Sequence, residues 1–295
     1  MKLDFAIPGF SKCGTTTLCS LLAEHDDIFI PEVKEPNFFT WKYDQGWDWI
    51  QTHFNLASEH QLWGDGSTSY SAAGGAELAC QRILKDFPAT RFIFIARNPV
   101  HRLESSFREF HHSGYQYGLE VPDDINEALQ SLPNMIADSR YWSLINVYRD
   151  RVPDDRILVL FLEDFKKDPA GELRKCFTFL GVDPDVRIRG LERRLNSGST
   201  KYTDTNAMRV MRRNQFVHSC LSMVSNKCQE KWASRLGLRK PFTLPIKWTT
   251  ESRARLIEAL GDEINNFLKF YGKPEEFWGF ETWASSLARN EGAAA

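Results

Sequence analysis

With 295 residues, 42% hydrophobic and 13% aromatic, the chain can build one large globular core and is too apolar for a disordered or fibrous protein. Its 37 Lys and Arg are balanced by 39 Asp and Glu, so there is no long-range basic field for nucleic acid and any polyanion site must be local. Cys13, Cys19, Cys80, Cys176, Cys220 and Cys228 lack disulfide-framework or zinc spacing, and no apolar run approaches the ~20 residues that span a bilayer. Together with the absence of a signal peptide before the first strand, this predicts free thiols in a soluble, cytoplasmic chain with no membrane partner.

Short apolar runs alternate with helix-period stretches through the first 180 residues, the pattern of a parallel sheet covered by helices. The first strand is expected over Leu3–Pro8, followed by a helix over Thr15–His25 with Leu18, Leu21 and Leu22 on one face. Further strands are expected at Ile28–Ile30, Gln61–Gly64, Arg91–Ala96 and Arg156–Leu162, with helices near Gly75–Phe87, Val100–His112, Asp138–Asp150 and Pro169–Leu180. Leu191 to Trp248 is basic and weakly periodic, which predicts a variable insertion or lid at about 191–248 within a single domain of 1–295. After it, Leu256, Leu260, Ile264, Phe267, Leu268 and Tyr271 form one helical stripe behind a Thr-Thr N-cap signal, as a core helix would.

The chemistry is concentrated in "PGFSKCGTTTL", where Gly9 and Gly14 permit a turn between a buried strand and a helix. Such a turn aims backbone N–H groups and the positive end of the helix at one point, which suits phosphate or sulfate. Ser11, Lys12 and Cys13 form the loop, and Thr15, Thr16 and Thr17 offer hydroxyl and N–H donors in the first helical turn. An ATP-binding loop would place Lys after the second glycine; here Lys12 precedes Gly14. The plain alternative is an ordinary strand–turn–helix corner. In the second motif, "RNPVHRLESSF", a strand ends at Arg97-Asn98-Pro99 and Ser105 follows on the next helix, a compact arrangement for a second phosphate or else a structural ion pair.

These two motifs, with "KEPNFF" (34–39) and "RILVLFLEDFKKDPAGELRKCFTFLGVD", resemble in order and spacing the PAPS-dependent sulfotransferases, over roughly residues 1–200. The "EPNFF" element is closer to the heparan-sulfate type and its bacterial relatives than to the cytosolic hormone and phenol enzymes. The resemblance implies a three-layer, P-loop-like α/β fold with a parallel sheet of about five strands and helices on both sides. It implies that Lys12 and Thr15–Thr17 hold the 5′-phosphosulfate of 3′-phosphoadenosine 5′-phosphosulfate (PAPS), that Arg97 and Ser105 hold its 3′-phosphate, and that no metal takes part.

The glutamate of "EPNFF", Glu35, is then the expected general base, with His111 and His112 as rivals and a loop charge paired to Lys34 as the plain reading. "NSGSTKY" resembles the late loop over the nucleotide, which would bring Ser199, Thr200, Lys201 and Tyr202 to the 3′-phosphate, or else is a solvated loop. "GDGSTSY" departs from the family's usual G-E-K-S-x-x-Y at Gly66, which removes a cation from the acceptor region. Phe38, Phe39, Trp41, Tyr43, Trp47 and Trp49 either line an acceptor pocket or pack in the core. The reading is a sulfotransferase acting on a hydroxyl or nitrogen of a small natural-product acceptor, with 3′-phosphoadenosine 5′-phosphate (PAP) as product. A glycan sulfotransferase, a P-loop ATP-dependent kinase and a catalytically silent nucleotide-binding protein are the alternatives.

Overall fold

The computed structural model describes residues 1–33, 35–188, 191, 201–213 and 226–285. The chain divides into two compact units, one of Met1–Arg102, Pro133–Ser197 and Thr250–Ala295, the other of Leu103–Leu132 and Gly198–Thr249. The stretch expected as an insertion or lid, 191–248, thus contributes its residues from Gly198 onward to the second unit.

The first unit is built on a five-stranded sheet of β1 (Phe5–Gly9), β2 (Ile28–Phe29), β3 (Leu62–Asp65), β4 (Arg91–Ala96) and β5 (Ile157–Phe161), in the order β2-β3-β1-β4-β5. Every neighbouring pair is parallel. A strand buried on both faces reads as a continuous apolar run, and β1 and all but the first residue of β4 are buried. Alternation in "RFIFIA" sends Phe92 and Phe94 against Tyr148 of α7 (Tyr141–Arg149), while Ile95 faces α1 (Thr15–Leu22) at Gly14. Helices therefore cover both faces, giving the three-layer fold the sequence predicts.

Among the described residues this unit also holds α2 (Gly46–Thr52), α3 (Ala76–Asp86), α6 (Asn134–Ala137), α8 (Leu162–Lys167), α9 (Pro169–Leu180), α12 (Thr250–Phe270) and α13 (Phe280–Ser285). The stripe expected on α12 is core: Leu256, Leu260, Ile264, Phe267 and Leu268 are buried, and Phe267 meets Phe10, Tyr141 and Phe161. α1 is shorter than expected. It ends at Leu22 because the buried His25 bonds the Asp183 carbonyl through Nε2 and accepts the Asp27 N–H at Nδ1, which holds the chain in a turn.

Helix α4 (Pro99–Ser113) begins in the first unit and continues into the second. The second unit also holds α5 (Ile125–Ser131), an antiparallel ribbon of β6 (Tyr202–Asp204) and β7 (Arg239–Pro241), α10 (Asn206–Arg213) and α11 (Asn226–Arg235). Its apolar centre includes Phe107, the His111 ring and Phe242. Asp204 is paired with Arg212 at 2.7 Å and with the buried Arg239 at 2.9 Å, as a buried guanidinium requires. Among the described residues no helix is long and apolar enough to cross a membrane.

Candidate active site

The strand order reverses between β1 and β4, and ligands of open parallel sheets bind outside the carboxyl ends of the strands at such a reversal. The ends of three adjacent strands converge there: β1 delivers the loop before Gly14, β4 delivers Arg97, and β3 delivers Asp65 and the turn after it. Gly9 does not take a positive φ; its role is close approach, because a Cβ there would lie 1.9 Å from Ser71 Oγ. The tight turn is made instead by Lys12 at φ 67° and Gly14 at φ 100°. Gly14 is the N-cap of α1 and has no side chain to satisfy the N–H groups of the first turn. Those donors, from Thr15 to Thr17, stay available for an anion, which the positive end of the helix also favours.

Arg97 follows β4 directly and its guanidinium donates to the Lys12 carbonyl at 3.4 Å. The buried Tyr141 hydroxyl donates to the Arg97 carbonyl at 2.9 Å and lies 3.4 Å from Cys13 Sγ. Burial pushes the Cys13 thiol up to about 11, so it stays protonated and inert at neutral pH. Asn98 caps α4, accepting the Val100 and His101 N–H groups on Oδ1, while its own N–H donates to Glu163 at 2.9 Å. The first turn of α4 is therefore already satisfied, which leaves the Arg97 side chain as the candidate anion-binding group at this strand end.

Glu35 lies on the turn after β2, half-buried, with φ 60°, and its Oε2 accepts the Thr68 hydroxyl at 3.1 Å. Close by, Asp65 is 1% exposed and accepts hydroxyls from Ser67 at 2.6 Å and Tyr70 at 2.7 Å. Burial outweighs these two bonds and pushes its carboxyl up to about 6, with the negative charge of Glu35 adding to the rise. The first unit thus brings Gly9, Ser11, Lys12, Cys13, Gly14, Thr15, Thr16, Thr17 and Arg97 to one sheet edge, with Glu35 on a turn that bonds the segment after β3.

The other candidates lie in the second unit. Ser105 is half-buried on α4, six residues after Pro99. Lys201 pairs with Glu109 at 2.7 Å and Tyr202 opens β6; Ser199, Thr200 and Lys34 lie outside the described residues. His111 is buried, with Nε2 3.1 Å from the Pro122 carbonyl and Nδ1 3.4 Å from the Thr203 hydroxyl. His112 Nδ1 lies 3.2 Å from the Arg239 guanidinium and accepts the Tyr202 N–H at 3.4 Å. Burial lowers the pKa of both histidines, helped by Arg209 at His111 and by Arg239 and Lys201 at His112. The aromatic group divides: Phe38 and Phe39 are core, whereas Trp41 and Trp47 are exposed at 63% and 40%.

Residues 2–239 match the family model described as sulfotransferase domain. The chain belongs to the sulfotransferase domain family. It is 26% identical over 185 residues to mouse heparan sulfate glucosamine 3-O-sulfotransferase 3A1, covering 60% of this chain and 45% of the relative. With the mouse 3-O-sulfotransferase 6 it shares 28% over 192 residues, covering 60% of this chain and 51% of that one. The chain thus spans about half the length of the curated relatives it matches. A sulfotransferase from Alicyclobacillus acidocaldarius superposes with a TM-score of 0.65 at 18% identity, covering 94% of this chain and 99% of that one, so the fold is shared.

Sulfotransferase-type motifs locate the loop, Arg97 and Glu35 in the sequence, but not Asp65, Tyr141 or Glu163. For Asp65 the only sequence signal is its place in "GDGSTSY"; the roles of Tyr141 and Glu163 depend on contacts far along the chain. Among the described residues no group of three or more His, Cys, Asp or Glu side chains is placed to hold a metal ion.

Proposed function

We propose that the protein transfers a sulfuryl group from PAPS to a hydroxyl or nitrogen of an acceptor, leaving PAP. The observation that carries this reading is the strand-end loop, where left-handed Lys12 precedes an N-cap glycine and Arg97 bonds its carbonyl. The loop fits the donor by its chemistry: the N–H groups of the first helical turn and the threonine hydroxyls are donors for an anion, and Lys12 supplies a cation. Arg97 is assigned to the 3′-phosphate.

In the transfer, the acceptor oxygen or nitrogen forms a bond to sulfur as the bond from sulfur to the 5′-phosphate oxygen breaks. The electron pair of that bond stays on the phosphate, where Lys12 and the N–H groups of α1 stabilise the growing charge. The acceptor's proton passes to the Glu35 carboxylate. Glu35 is preferred to His111 and His112 because it lies on the same unit as the loop, whereas both histidines are engaged in bonds within the second unit.

The acceptor is assigned to small molecules because of Gly66. A Cβ at this position would lie 2.4 Å from Cys19 Sγ, so a thiol fills the space where the family's usual lysine side chain begins. A glycan acceptor is the second reading, favoured by the similarity to the mouse heparan sulfate glucosamine 3-O-sulfotransferases. The test is transfer of labelled sulfate from PAPS into a host metabolite extract, with the product identified by mass. Label in a soluble small molecule, lost in Lys12→Ala and in Glu35→Gln, supports the reading; label in glycan alone overturns the acceptor class. Magnesium-dependent ATP turnover without sulfate transfer overturns the activity itself.

A further inference from the structure

Three consecutive hydroxyl side chains, Ser67, Thr68 and Ser69, follow the end of β3, and each bonds a different point of the turn that carries Glu35. Ser67 Oγ donates to Asp65 at 2.6 Å and accepts the Asn37 N–H at 2.9 Å. Thr68 Oγ1 donates to Glu35 Oε2 at 3.1 Å. Ser69 Oγ donates to Asn37 Oδ1 at 2.6 Å, and Asn37 Nδ2 donates onward to the Glu35 carbonyl at 2.7 Å. All three residues are buried, at 0%, 8% and 5% exposure.

The donor directions are fixed by chemistry. A carboxylate only accepts, so with Asp65 ionised the Ser67 proton is committed to it and the oxygen's lone pairs face the Asn37 N–H. An ionised Glu35 likewise takes the Thr68 proton, and the amide of Asn37 is oriented by a donor on one side and an acceptor on the other. The turn so held is one the backbone would not choose unaided: Glu35 at φ 60° and Asn37 at φ 54° both occupy the left-handed region, with Pro36 between them. Glu35 precedes a proline, which also disfavours the right-handed helical conformation there. Such residues persist where the surroundings over-determine them, and here a bond reaches each of the side chain, the carbonyl and the following amide.

We propose that Ser67, Thr68 and Ser69 form a clamp that positions Glu35 for proton abstraction, with Thr68 as the positioning residue for its carboxylate. The inference rests on the reading of Glu35 as the base. A carboxylate on a turn has free side-chain torsions, and a base must be held within a few tenths of an ångström of its productive place; a hydroxyl on one oxygen supplies that restraint.

The experiment measures initial rates of labelled-sulfate transfer from PAPS, at varied PAPS and a fixed amount of host metabolite extract, with PAP affinity measured by calorimetry. Thr68→Val keeps the shape and removes the donor. Its apparent kcat is expected to fall about tenfold, with KM for PAPS and PAP affinity within about twofold of the parent. Thr68→Ser, which restores the hydroxyl, is expected to return to within about twofold of the parent rate. If Thr68→Val does not fold, Thr68→Ala removes the same donor with a smaller side chain and carries the same expectation. A parental rate in the donor-less variant, while Glu35→Gln is inactive, overturns the clamp and leaves the base assignment standing. A Thr68→Ser enzyme as slow as Thr68→Val also overturns it, because shape rather than the hydroxyl would then matter. A parental rate in Glu35→Gln overturns the base reading, and the clamp with it.

Discussion

Asp65 gives the site a stability signature that a pH titration can read. Its carboxyl is 1% exposed, and burial pushes it up to about 6 from an ordinary 3.8 despite the Ser67 and Tyr70 hydroxyls. A rise of about two pH units corresponds to ~3 kcal/mol, and at this depth solvent does not screen it away. Because the folded pKa lies above the unfolded one, the folded state binds more protons between about pH 4 and 6, so stability falls as pH rises through that window. Above it the whole penalty is present. Asp65→Asn keeps an oxygen to accept a hydroxyl and cannot ionise, so it escapes the fall. Other carboxylates titrate in both proteins and cancel in the difference. By scanning calorimetry at pH 4.5 and 7.5, between which about two-thirds of that penalty develops, the Tm of Asp65→Asn minus that of the parent is expected to increase by roughly 3–6 °C. Glu35→Gln removes a negative charge that contributes to the rise, so in that background the window moves to lower pH. A Tm difference that stays constant across pH, or shrinks as pH rises, refutes the reasoning.

Three other substitutions test the loop and its supports. Gly14→Ala forces a side chain onto φ 100°, with its Cβ 2.9 Å from a Leu162 methyl that can shift; a loss of ~1–2 kcal/mol, from the backbone, is expected in urea denaturation. Arg97→Ala is expected to weaken PAP binding by tenfold or more in calorimetry, in the range of a lost charge-assisted contact of roughly 1.5–3 kcal/mol, while kcat at saturating PAPS changes little. Tyr141→Phe removes the hydroxyl that bonds the Arg97 carbonyl beside Cys13, and is expected to cost ~1 kcal/mol in stability and to weaken PAP binding by less than Arg97→Ala does. An unchanged PAP affinity in Arg97→Ala would remove it from the donor site.

What the sequence reveals about this fold follows the range of the forces involved. β1, β4 and β5 are legible because their runs are apolar, as strands covered by helices require, and the loop is legible because glycine, lysine and threonine crowd into the nine residues Gly9–Thr17. Boundaries are less so. The helix expected from Asp138 begins at Tyr141, because Asp138 instead accepts the Ala73 N–H at 2.9 Å, a bond set by a residue 65 positions away. The ribbon of β6 and β7 is missed since three-residue strands carry no readable period. In the site, Glu35 is found by its motif, yet the hydroxyls that hold it are about thirty residues distant, and "STS" alone looks like any polar turn.

Gly66 and Cys19 form one feature rather than two. At the sequence level Gly66 is an absence, a lysine of the family pattern that is not there. In the folded chain a Cβ at 66 would lie 2.4 Å from the Sγ of Cys19, which is 6% exposed on α1, the helix whose first turn follows the proposed donor loop. Restoring a side chain at this position therefore requires the thiol to give up its space, and that thiol sits on the helix carrying Thr15–Thr17. On the proposed reading, the acceptor side is in this way tied to packing beneath the donor loop. A strongly anionic acceptor would, on the same reading, need its missing counter-charge from another segment.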